Sequence, residues 1–377
     1  MTPAGRSGTR GFDLVVVGGG IHGSSAALFA SLRGLSVAVL EKDTVARHAS
    51  GTNAGGVRRL GRHHAEIPIS QRSMQIWYGI ADLLDDDCGF QIAPQIKVAE
   101  TDAELAGLSQ RAGELQAMGY DHEIILDRAG LRRHLPAISD HAVGGLASLK
   151  DGFAQPYKTT FAIQRKAMEK GARFYEHCQA GRIHRSDGVW QVETADGVFA
   201  APRLLNAAGA WAGAIAGALG EAAPVEAIAP MMLVTNRVPH FCDAVVGAAG
   251  RPLSFKQMPN GTVVIGGGRR GRADRHANRS EILFNELQLT AETAMSLFPV
   301  MRSASIVRSW SGVEGRMPDD IPVIGPSARH EGLYHAFGFS AHGFQMGPGV
   351  GELMAELIAT GATQAPITPF SIARFAV

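Results

Sequence analysis

Cysteine is scarce in this chain, and there is almost no net charge of either sign. The 377 residues include only Cys88, Cys178 and Cys242, with no Cys-x-x-Cys spacing, so neither a disulfide framework nor a metal site is indicated. Lys+Arg number 36 and Asp+Glu 35, and the formal net charge of +1 gives no reason to expect a nucleic-acid partner. The motifs H-E-x-x-H, G-x-S-x-G and the Walker lysine are missing, which leaves metallohydrolases, serine hydrolases and P-loop enzymes without support.

Long apolar runs are missing as well. No stretch approaches the roughly 20 apolar residues that a membrane span needs, and the apolar run at 14–17 is far shorter than the core of a secretory signal. Apolar residues make up 45% of the chain and charged residues 19%, which is typical of a globular protein with a core. We therefore predict a cytoplasmic protein without a membrane span, and the length favours two structural units.

The first forty residues predict a strand, a glycine turn, a helix and a second strand. The β-branched run 13–17 predicts a buried strand, and 18–23 match G-x-G-x-x-G. A helix is predicted over 24–33 and is stopped by Gly34, and a second strand is predicted over 36–40.

The spacing within this unit has a physical reason. Gly18 permits the tight turn out of the strand, Gly20 lets the backbone approach a pyrophosphate, and Gly23 lets the helix pack closely on the strand. Glu41 follows the second strand, where a carboxylate can accept a hydrogen bond from a ribose hydroxyl. The pattern therefore predicts a dinucleotide site that favours an unphosphorylated adenosine ribose.

A second match to the same motif, at 266–271, lacks this context. It follows the apolar run 263–265, but no apolar helix comes after it, and no second strand ends in an acidic residue at the right distance. We predict a hairpin or loop there.

The G-x-G-x-x-G motif at 18–23 alone does not distinguish FAD from a nicotinamide cofactor, because both carry an adenosine pyrophosphate. A nicotinamide enzyme would normally continue with further strand–helix repeats, whereas a glycine-rich basic loop follows here at 48–64. Two more small-residue segments lie at 204–212 and 337–351, and the second leads into a predicted helix at 352–358. Several backbone segments that tolerate close approach favour an extended tricyclic ligand.

Five segments occur here in an order that is found in one family: 18–23, 50–56, 206–211, 319–325 and 340–344. On these residues the chain resembles the FAD-dependent D-amino-acid oxidase superfamily, and within it glycine oxidase, the sarcosine oxidase β subunit and opine-type oxidase subunits. The resemblance extends from about Phe12 to the C-terminal helix. It implies an α/β fold (α+β overall), with a Rossmann-like FAD-binding domain and an interleaved antiparallel-sheet substrate domain.

The implied domains are discontinuous. The FAD-binding domain is expected at 12–84, 144–215 and 306–377, and the substrate domain at 85–143 and 216–305.

Several local elements are predicted from periodicity. They are a long amphipathic helix at 66–87, a half-buried strand at 95–100, a helix at 101–118 opened by a Thr-x-x-Glu capping box, and strands within 228–238 and 253–265.

The resemblance also implies which residues hold FAD. The expected cofactor-binding residues are Gly18, Gly20, Ile21, His22, Gly23, Glu41, Lys42, His48, Ser50, Asn53, Ala54, Gly55, Gly56, Ala208, Gly209, Trp211, Gly312, Gly343, Phe344, Gln345 and Met346. Gly312 lies near the position where monomeric sarcosine oxidase holds a flavin-linking cysteine, and no cysteine of this chain is close to it, so the FAD is expected to be non-covalent. The helix after 347–351 could direct its N–H groups at the flavin, or the segment could be an ordinary helix-entry loop.

Four side chains are candidates for catalysis: His342, Lys256, Arg58 and Glu314. His342 could donate to the substrate or the ring or orient a water, or it could be bonded to backbone in a tight loop. Arg58 could bind a carboxylate or the flavin, or it could be a solvated surface residue. Lys256, on a predicted strand, could bind a substrate carboxylate or promote the reaction with oxygen, or it could face outward.

Two positions depart from the relatives. Glu314 stands where glycine oxidase carries its substrate-carboxylate arginine, and Gln345 stands where monomeric sarcosine oxidase has a lysine. Either the substrate carboxylate is bound elsewhere, or the substrate brings a cationic group that pairs with Glu314.

The resemblance thus implies an FAD-dependent oxidoreductase that oxidises the C–N bond of an amino acid or an N-substituted (secondary) amino acid. The product is an imine, which water hydrolyses to an oxo acid and an amine. The expected partners are a small amino-acid-like substrate and O2 or another electron acceptor. Two alternatives stay open: the FAD-carrying subunit of a heteromeric opine- or sarcosine-type dehydrogenase with small partner subunits, and a non-catalytic flavin-binding protein.

Overall fold

The structure is a computed structural model that describes residues 8–376. Its strands are β1 (Thr9–Gly11), β2 (Leu14–Val17), β3 (Val37–Leu40), β4 (Gly56–Val57), β5 (Gln91–Ile92), β6 (Gln95–Ala99), β7 (Ile124–Asp127), β8 (Gly144–Ser148), β9 (Gly152–Phe153), β10 (Arg173–Tyr175), β11 (Ile183–Ser186), β12 (Val189–Thr194), β13 (Gly197–Ala201), β14 (Arg203–Asn206), β15 (Glu226–Thr235), β16 (Val245–Ala248), β17 (Ser254–Gln257), β18 (Val263–Gly266), β19 (Arg270–Asp274), β20 (Arg279–Glu281), β21 (Ile306–Ser311), β22 (Glu314–Arg316), β23 (Val323–Pro326) and β24 (Leu333–Phe337).

The α-helices are α1 (Ile21–Leu32), α2 (Ala49–Thr52), α3 (Ile67–Tyr78), α4 (Ile80–Leu84), α5 (Asp102–Ala117), α6 (Arg128–His134), α7 (Pro156–Glu169), α8 (Ala212–Ala218), α9 (Phe284–Leu297) and α10 (Gly347–Thr360). None of these described helices has both the length and the apolar character to cross a membrane.

A six-stranded sheet in the order β10-β3-β2-β14-β24-β23 carries the N-terminal unit. Its first five strands run parallel, and β23 runs antiparallel to β24. All four residues of β2 and of β3 are buried, because α1 and α10 cover one face of the sheet while the small sheet β1-β13-β12-β11 covers the other. The Rossmann-like architecture predicted from the sequence is confirmed.

The helical layer depends on glycines that let backbones approach closely. A Cβ on Gly351 of α10 would lie 2.3 Å from the Cβ of Ser25 in α1, and a Cβ on Gly349 would lie 2.6 Å from the Cβ of Ser73 in α3. α10 begins at Gly347, five residues before the predicted start, so the alternative of a helix-entry loop through 347–351 is not what the structure shows. These glycines form a packing face.

A second, larger sheet has the order β20-β19-β15-β18-β17-β16-β6-β8-β7, and β21 and β22 also pair with β15. Helices α6 and α9 contribute to the hydrophobic core on one face of this sheet. Four of the five residues of β6 are buried, so the prediction of a half-buried strand is wrong in its degree of burial. The antiparallel pairings of β15, β17 and β18 confirm the strands predicted within 228–238 and 253–265.

Two of the predicted domain boundaries do not coincide with the sheets. Strand β8 starts at Gly144 and pairs with β6 and β7, and strands β21 and β22 pair with β15. Residues 144–148 and 306–316 therefore belong to the larger sheet rather than to the parallel sheet.

Three local predictions have clear outcomes. The helix predicted over 66–87 is wrong in its continuity, because α3 gives way to α4 at Gly79, whose φ of −103° and ψ of 17° are not helical. The capping box of α5 is half formed: Thr101 Oγ1 accepts from the N–H of Glu104, but the Glu104 carboxylate accepts from Glu100 N. The motif at 266–271 lies between β18 and β19 and is not followed by a helix, which confirms the predicted loop.

The packing of α10 on α1 predicts the effect of one methyl group. Gly351→Ala places a Cβ 2.3 Å from Ser25, and we expect a loss of about 1–3 kcal/mol in the free energy of unfolding. Gly107→Ala is the matched control, because Gly107 lies on exposed α5 with nothing within 4 Å of a Cβ, and it should gain up to about 1 kcal/mol from helix propensity. Denaturant titration of both variants measures this, and equal shifts would contradict the packing argument.

Candidate active site

A cavity of about 1230 Å³ lies between the parallel sheet and the larger sheet. Val17, Leu40 and Phe337, which are the last residues of β2, β3 and β24, all line it. The cavity therefore occupies the crevice at the carboxyl ends of parallel strands, where open α/β sheets bind their ligands. Residues of β6, β16 and the turn before β19 form the opposite wall.

The turn between β2 and α1 shows why its glycines are needed. Gly18 has a φ of +107°, and a Cβ there would lie 2.4 Å from the carbonyl oxygen of Ala207. A Cβ on Gly23 would lie 2.0 Å from the Gly18 oxygen, so Gly23 serves helix packing and does not line the cavity. No side chain of the N-cap residue Gly20 covers the start of α1, which points at the cavity.

Glu41 lies beside this turn and is buried. Its Oε2 accepts from Gly19 N at 2.8 Å and its Oε1 accepts from Asp43 N at 2.9 Å. Burial raises the pKa of Glu41 despite these two hydrogen bonds. Since each carboxylate oxygen has a second acceptor position, Glu41 can still accept from a ligand hydroxyl.

His22 is the polar group at this end of the cavity that has an unpartnered atom. Its ring stacks on Phe339 with centroids 3.5 Å apart, and its Nε2 is buried without a hydrogen-bond partner among residues 8–376. Burial lowers the pKa of His22 to about 3, so the ring is neutral at pH 7. A glycine cradle, a helix start, an acceptor at Glu41 and this orphaned nitrogen together fit an adenosine pyrophosphate.

A cluster of polar side chains joins the two sheets beside the end of the cavity that holds Glu41. Asn278, in the turn between β19 and β20, donates to both oxygens of Asp43 at 3.0 and 2.9 Å. Lys42 Nζ donates to Asp43 and lies 3.8 Å from the centre of the Trp211 ring, and His48 Nε2 contacts the same carboxylate at 2.7 Å. The positions predicted at 42, 48 and 211 are thus brought together at the cavity.

The turn before α10 forms another part of the wall. Ser340 and Ala341 have φ values of 51° and 65°, a conformation that non-glycine residues rarely adopt and that is often found at functional sites. The turn directs Ala341 N at Glu314 Oε1, at 2.7 Å. Burial raises the pKa of Glu314 to about 7 although this hydrogen bond opposes the shift.

His342 follows in the same turn, but both of its ring nitrogens have partners. Nε2 lies 3.1 Å from the carbonyl oxygen of Asp320 and so must donate, and Nδ1 lies 3.1 Å from Arg62 Nη1 and so must accept. Burial and the charges of Arg62 and Arg58 lower the pKa of His342 to about 3. The ring is therefore held neutral, and the structure favours the alternative of a histidine bonded within a tight loop over a catalytic role.

Gln345 and Met346, unlike most of the predicted cofactor positions, do not line the cavity. Gln345 Oε1 accepts from Arg62 and Ser70, and its Nε2 donates to the Ser70 carbonyl oxygen at 2.8 Å. Met346 is fully buried in the core beneath the parallel sheet. The Gln345 side chain thus joins the turn before α10 to α3 and to the loop that holds Arg62, while Met346 packs in the core.

The start of α10 also differs from the sequence hypothesis. Gly347 N donates to the Phe344 carbonyl oxygen, Pro348 has no N–H, and Gly349 N donates to Ser73 Oγ at 3.0 Å. The first N–H groups of this helix are therefore occupied within the protein. Direct hydrogen bonds from Gly347 N and Gly349 N to a flavin are therefore not expected, and the orientation of this helix toward a flavin stays a prediction.

Lys256 is buried rather than outward-facing. Its Nζ lies 4.7 Å from the centre of the Phe153 ring and would lie 3.0 Å from a Cβ on Gly55, which lines the cavity. Burial lowers the pKa of Lys256 to about 7. Lys256 itself is not a lining residue, so it lies directly behind the wall.

Most of the predicted positions do line this cavity. They are Gly18, Gly20, Ile21, His22, Glu41, Lys42, His48, Ser50, Asn53, Ala54, Gly55, Gly56, Arg58, Ala208, Gly209, Trp211, Gly312, Glu314, His342, Gly343 and Phe344. A Cβ on Gly312 would lie 2.0 Å from Thr52 Oγ1, so the backbone there is closely packed. The three cysteines are buried, and none of them lines the cavity.

Sequence reasoning missed several basic lining residues, among them Arg62, Lys97 and Arg111. Arg62 is 2% exposed, and Lys97 and Arg111 come from β6 and α5. A lysine within the apolar strand β6 is the one signal that could have been noticed, because charged residues are rarely placed in central strands without a partner.

Comparison with known proteins identifies relatives over the whole cavity-forming region. The profile of the family described as FAD dependent oxidoreductase matches residues 13–357. The chain is 26% identical to sarcosine oxidase subunit beta of Rhizobium meliloti (strain 1021), over 97% of this chain and 88% of that one. It is 24% identical to glycine oxidase of Geobacillus kaustophilus (strain HTA426), over 97% of this chain and 98% of the relative.

Solved structures show the same fold. The crystal structure of glycine oxidase from Geobacillus kaustophilus has a TM-score of 0.88 at 23% identity and covers 97% of this chain and 99% of its own. That of L-proline dehydrogenase from P. horikoshii has a TM-score of 0.89 at 24% identity, with 96% and 97% covered.

The burial of Lys256 predicts a pH-dependent stability. Its pKa of about 7 in the folded protein lies below the ordinary 10.5, so the unfolded chain binds more protons between these values and stability rises with pH there. The gain from this group is at most about 1.4 kcal/mol per pH unit. Lys256→Met should therefore be more stable than the wild type at pH 7, with an advantage that shrinks toward pH 10.

Denaturant titrations at several pH values in this range measure the effect. Lys170→Met, which removes a lysine exposed at the end of α7, is the control and should leave the pH dependence unchanged. An identical pH dependence in wild type and Lys256→Met would show that Lys256 keeps its ordinary pKa.

Proposed function

The chain belongs to the family of FAD-dependent oxidoreductases, and we propose that it oxidises the C–N bond of an amino acid or an N-substituted amino acid. The product is an imine, which water hydrolyses to an oxo acid and an amine. FAD, bound without a covalent link, would supply the chemistry by accepting a hydride from the α-carbon of the substrate. The residues that fit its adenosine pyrophosphate are those around Gly18, Glu41 and His22.

The observation that carries this proposal is the continuity of the cavity. The same space that begins at the glycine turn extends to Glu314, Arg58 and Lys97, so a dinucleotide and a small charged molecule can share it. Phe339, Phe344 and Val313 also line this cavity and would exclude water from the reacting atoms.

Glu314 is suited to prepare the amine. Amine oxidation requires a neutral nitrogen, while most amino acids enter as ammonium ions. Glu314 Oε1 is held by Ala341 N, and its Oε2 has no hydrogen-bond partner among residues 8–376. A carboxylate whose pKa lies at about 7 can accept a proton from the ammonium group near neutral pH.

A second candidate function is the FAD-carrying subunit of a larger complex. The name of one relative, sarcosine oxidase subunit beta, favours this alternative. In that case the isolated chain oxidises the substrate but depends on partner chains to pass electrons onward. Pull-down from the native host, with activity compared before and after removal of co-purifying chains, separates the two.

The proposed reaction is tested with the purified chain under anaerobic conditions. We expect a yellow protein whose visible absorbance is bleached by members of a panel of glycine, sarcosine, prolines, D-amino acids and N-carboxyalkyl amino acids. Denaturation with acid should release the cofactor into the supernatant if it is non-covalent. Absence of flavin absorbance, together with no bleaching of added FAD by any amine, would contradict the proposal.

Glu314→Gln tests the proton acceptor. Because the Glu314 carboxylate accepts a proton only when ionised, kcat/KM of the wild type should rise with pH through about 7. The variant keeps the shape of the Glu314 side chain and its hydrogen bond from Ala341. It should lose the rise of kcat/KM with pH, and kcat/KM near pH 7 should fall by about 100-fold or more. Glu292→Gln, on an exposed face of α9, is the control. If kcat/KM of Glu314→Gln still rose with pH through about 7, the titration would belong to another group.

A further inference from the structure

The cavity has one strongly basic region, which we call the basic wall: Arg58, Arg62, Lys97 and Arg111. We propose that the basic wall binds two carboxylates, so that the substrate is a dicarboxylic amine, with one carboxylate on the α-carbon and the second on its side chain or N-substituent. This inference rests on the proposed function and identifies the substrate class of that site.

Two of the four cations are occupied within the protein. Arg111 donates to both oxygens of the Glu123 carboxylate at 2.7 and 2.9 Å. Arg62 is buried, and it donates to the carbonyl oxygens of Arg58 and His342 and to Gln345 Oε1. Both guanidinium groups therefore already donate to acceptors of the protein.

The other two cations lack such partners. Lys97 Nζ has no hydrogen bond or ion pair with any residue in the described range 8–376, and Arg58 donates only to the Leu60 carbonyl oxygen. Both side chains are half-buried. Leaving two unpaired cations in a partly buried wall is costly, so an anionic ligand would relieve the cost.

The charged groups around the basic wall carry an excess of positive charge. Asp151 is neutralised by Arg59, with Nε–Oδ1 2.9 Å apart, and Glu123 is neutralised by Arg111. The remaining carboxylate, Glu66, is buried near Arg58 and Arg62 and acts electrostatically on both. Five cations therefore face three carboxylates, and two positive charges are uncompensated.

The two free cations are close to each other but come from different elements. A Cβ on Gly61 would lie 3.7 Å from Lys97 Nζ and 3.8 Å from Arg58 Nη1, so these atoms are within about 7.5 Å of each other. Gly61 has no side chain, which leaves the space between them open. The planar Arg58 guanidinium lies on a loop and the Lys97 ammonium lies on β6. Two such separated cations suit two separate carboxylates better than one compact phosphate.

The position of Glu314 agrees with this arrangement. Ala341 N donates to Glu314, and the next residue, His342, accepts from Arg62 in the basic wall. The carboxylate that would face the amine and the cations that would face the carboxylates are therefore attached to the same turn. A zwitterionic dicarboxylate matches this alternation of charge.

The test uses the FAD-loaded full chain and ligands that cannot be oxidised. Succinate and glutarate are compared with propionate and butyrate, and with phosphonoacetate, by the change in visible absorbance on binding and by thermal shift. We expect the dicarboxylates to bind about 10-fold or more tightly than the monocarboxylates at low salt. Similar affinities for the two classes, or tightest binding of phosphonoacetate, would overturn the proposal.

Variants assign the effect to the residues. Lys97→Met should reduce dicarboxylate affinity about 10-fold while leaving monocarboxylate affinity within about 3-fold, and Lys97→Arg should restore it. Lys170→Met is the control for a lost surface charge and should change neither. Equal weakening of both ligand classes in Lys97→Met, with Lys97→Arg no better, would show a merely structural role.

The outcomes also separate this inference from the proposed function. If dicarboxylates bind as expected but no amine bleaches the protein, the subsite stands and the amine oxidation is wrong. If amines are oxidised without preference for dicarboxylic ones, and Lys97→Met leaves their KM unchanged, the reaction stands and the subsite is wrong.

Discussion

The buried guanidinium of Arg62 is the interaction on which the site depends. It donates to the carbonyl oxygens of Arg58 and His342 and to the side chain of Gln345, while its own carbonyl oxygen accepts from Arg111. The Arg62 side chain thereby fixes the loop after β4 relative to the turn before α10, and the Arg62 carbonyl oxygen links this loop to α5. Because the groups it satisfies are buried, its loss would leave several acceptors without partners.

This anchoring explains why similar residue types have different roles in one cavity. Arg62 and His342 satisfy each other and are held in fixed charge states, which makes them parts of the frame. Arg58, Lys97 and Glu314 lie next to that frame with unused donors or acceptors. We therefore propose that substrate binding and proton transfer in this cavity depend on the residues that the frame leaves unsatisfied.

The nucleotide end could be predicted from sequence, since Gly23 is required by its contact with the Gly18 oxygen within one βαβ unit and Gly18 by its φ of +107° in the turn. The roles of residues fixed by distant contacts could not. Gly347 and Gly351 look like a loop in sequence, but packing on Ile21 and Ser25 makes them the first turn of a helix. Lys97 reads as one polar residue in a strand, and only the fold places it beside Arg58.

The order of the parallel sheet also has a consequence for how the chain acquires its structure. Leu14 of β2 pairs with Arg203 of β14, and Leu204 of β14 pairs with Leu333 of β24. Strand β2 thus waits for β14, which is encoded in the middle of the chain, and β14 in turn waits for β24, which is encoded near its end. Such non-local pairing slows folding and prolongs exposure of apolar strand edges, so growth temperature and chaperone supply should govern the yield of native protein.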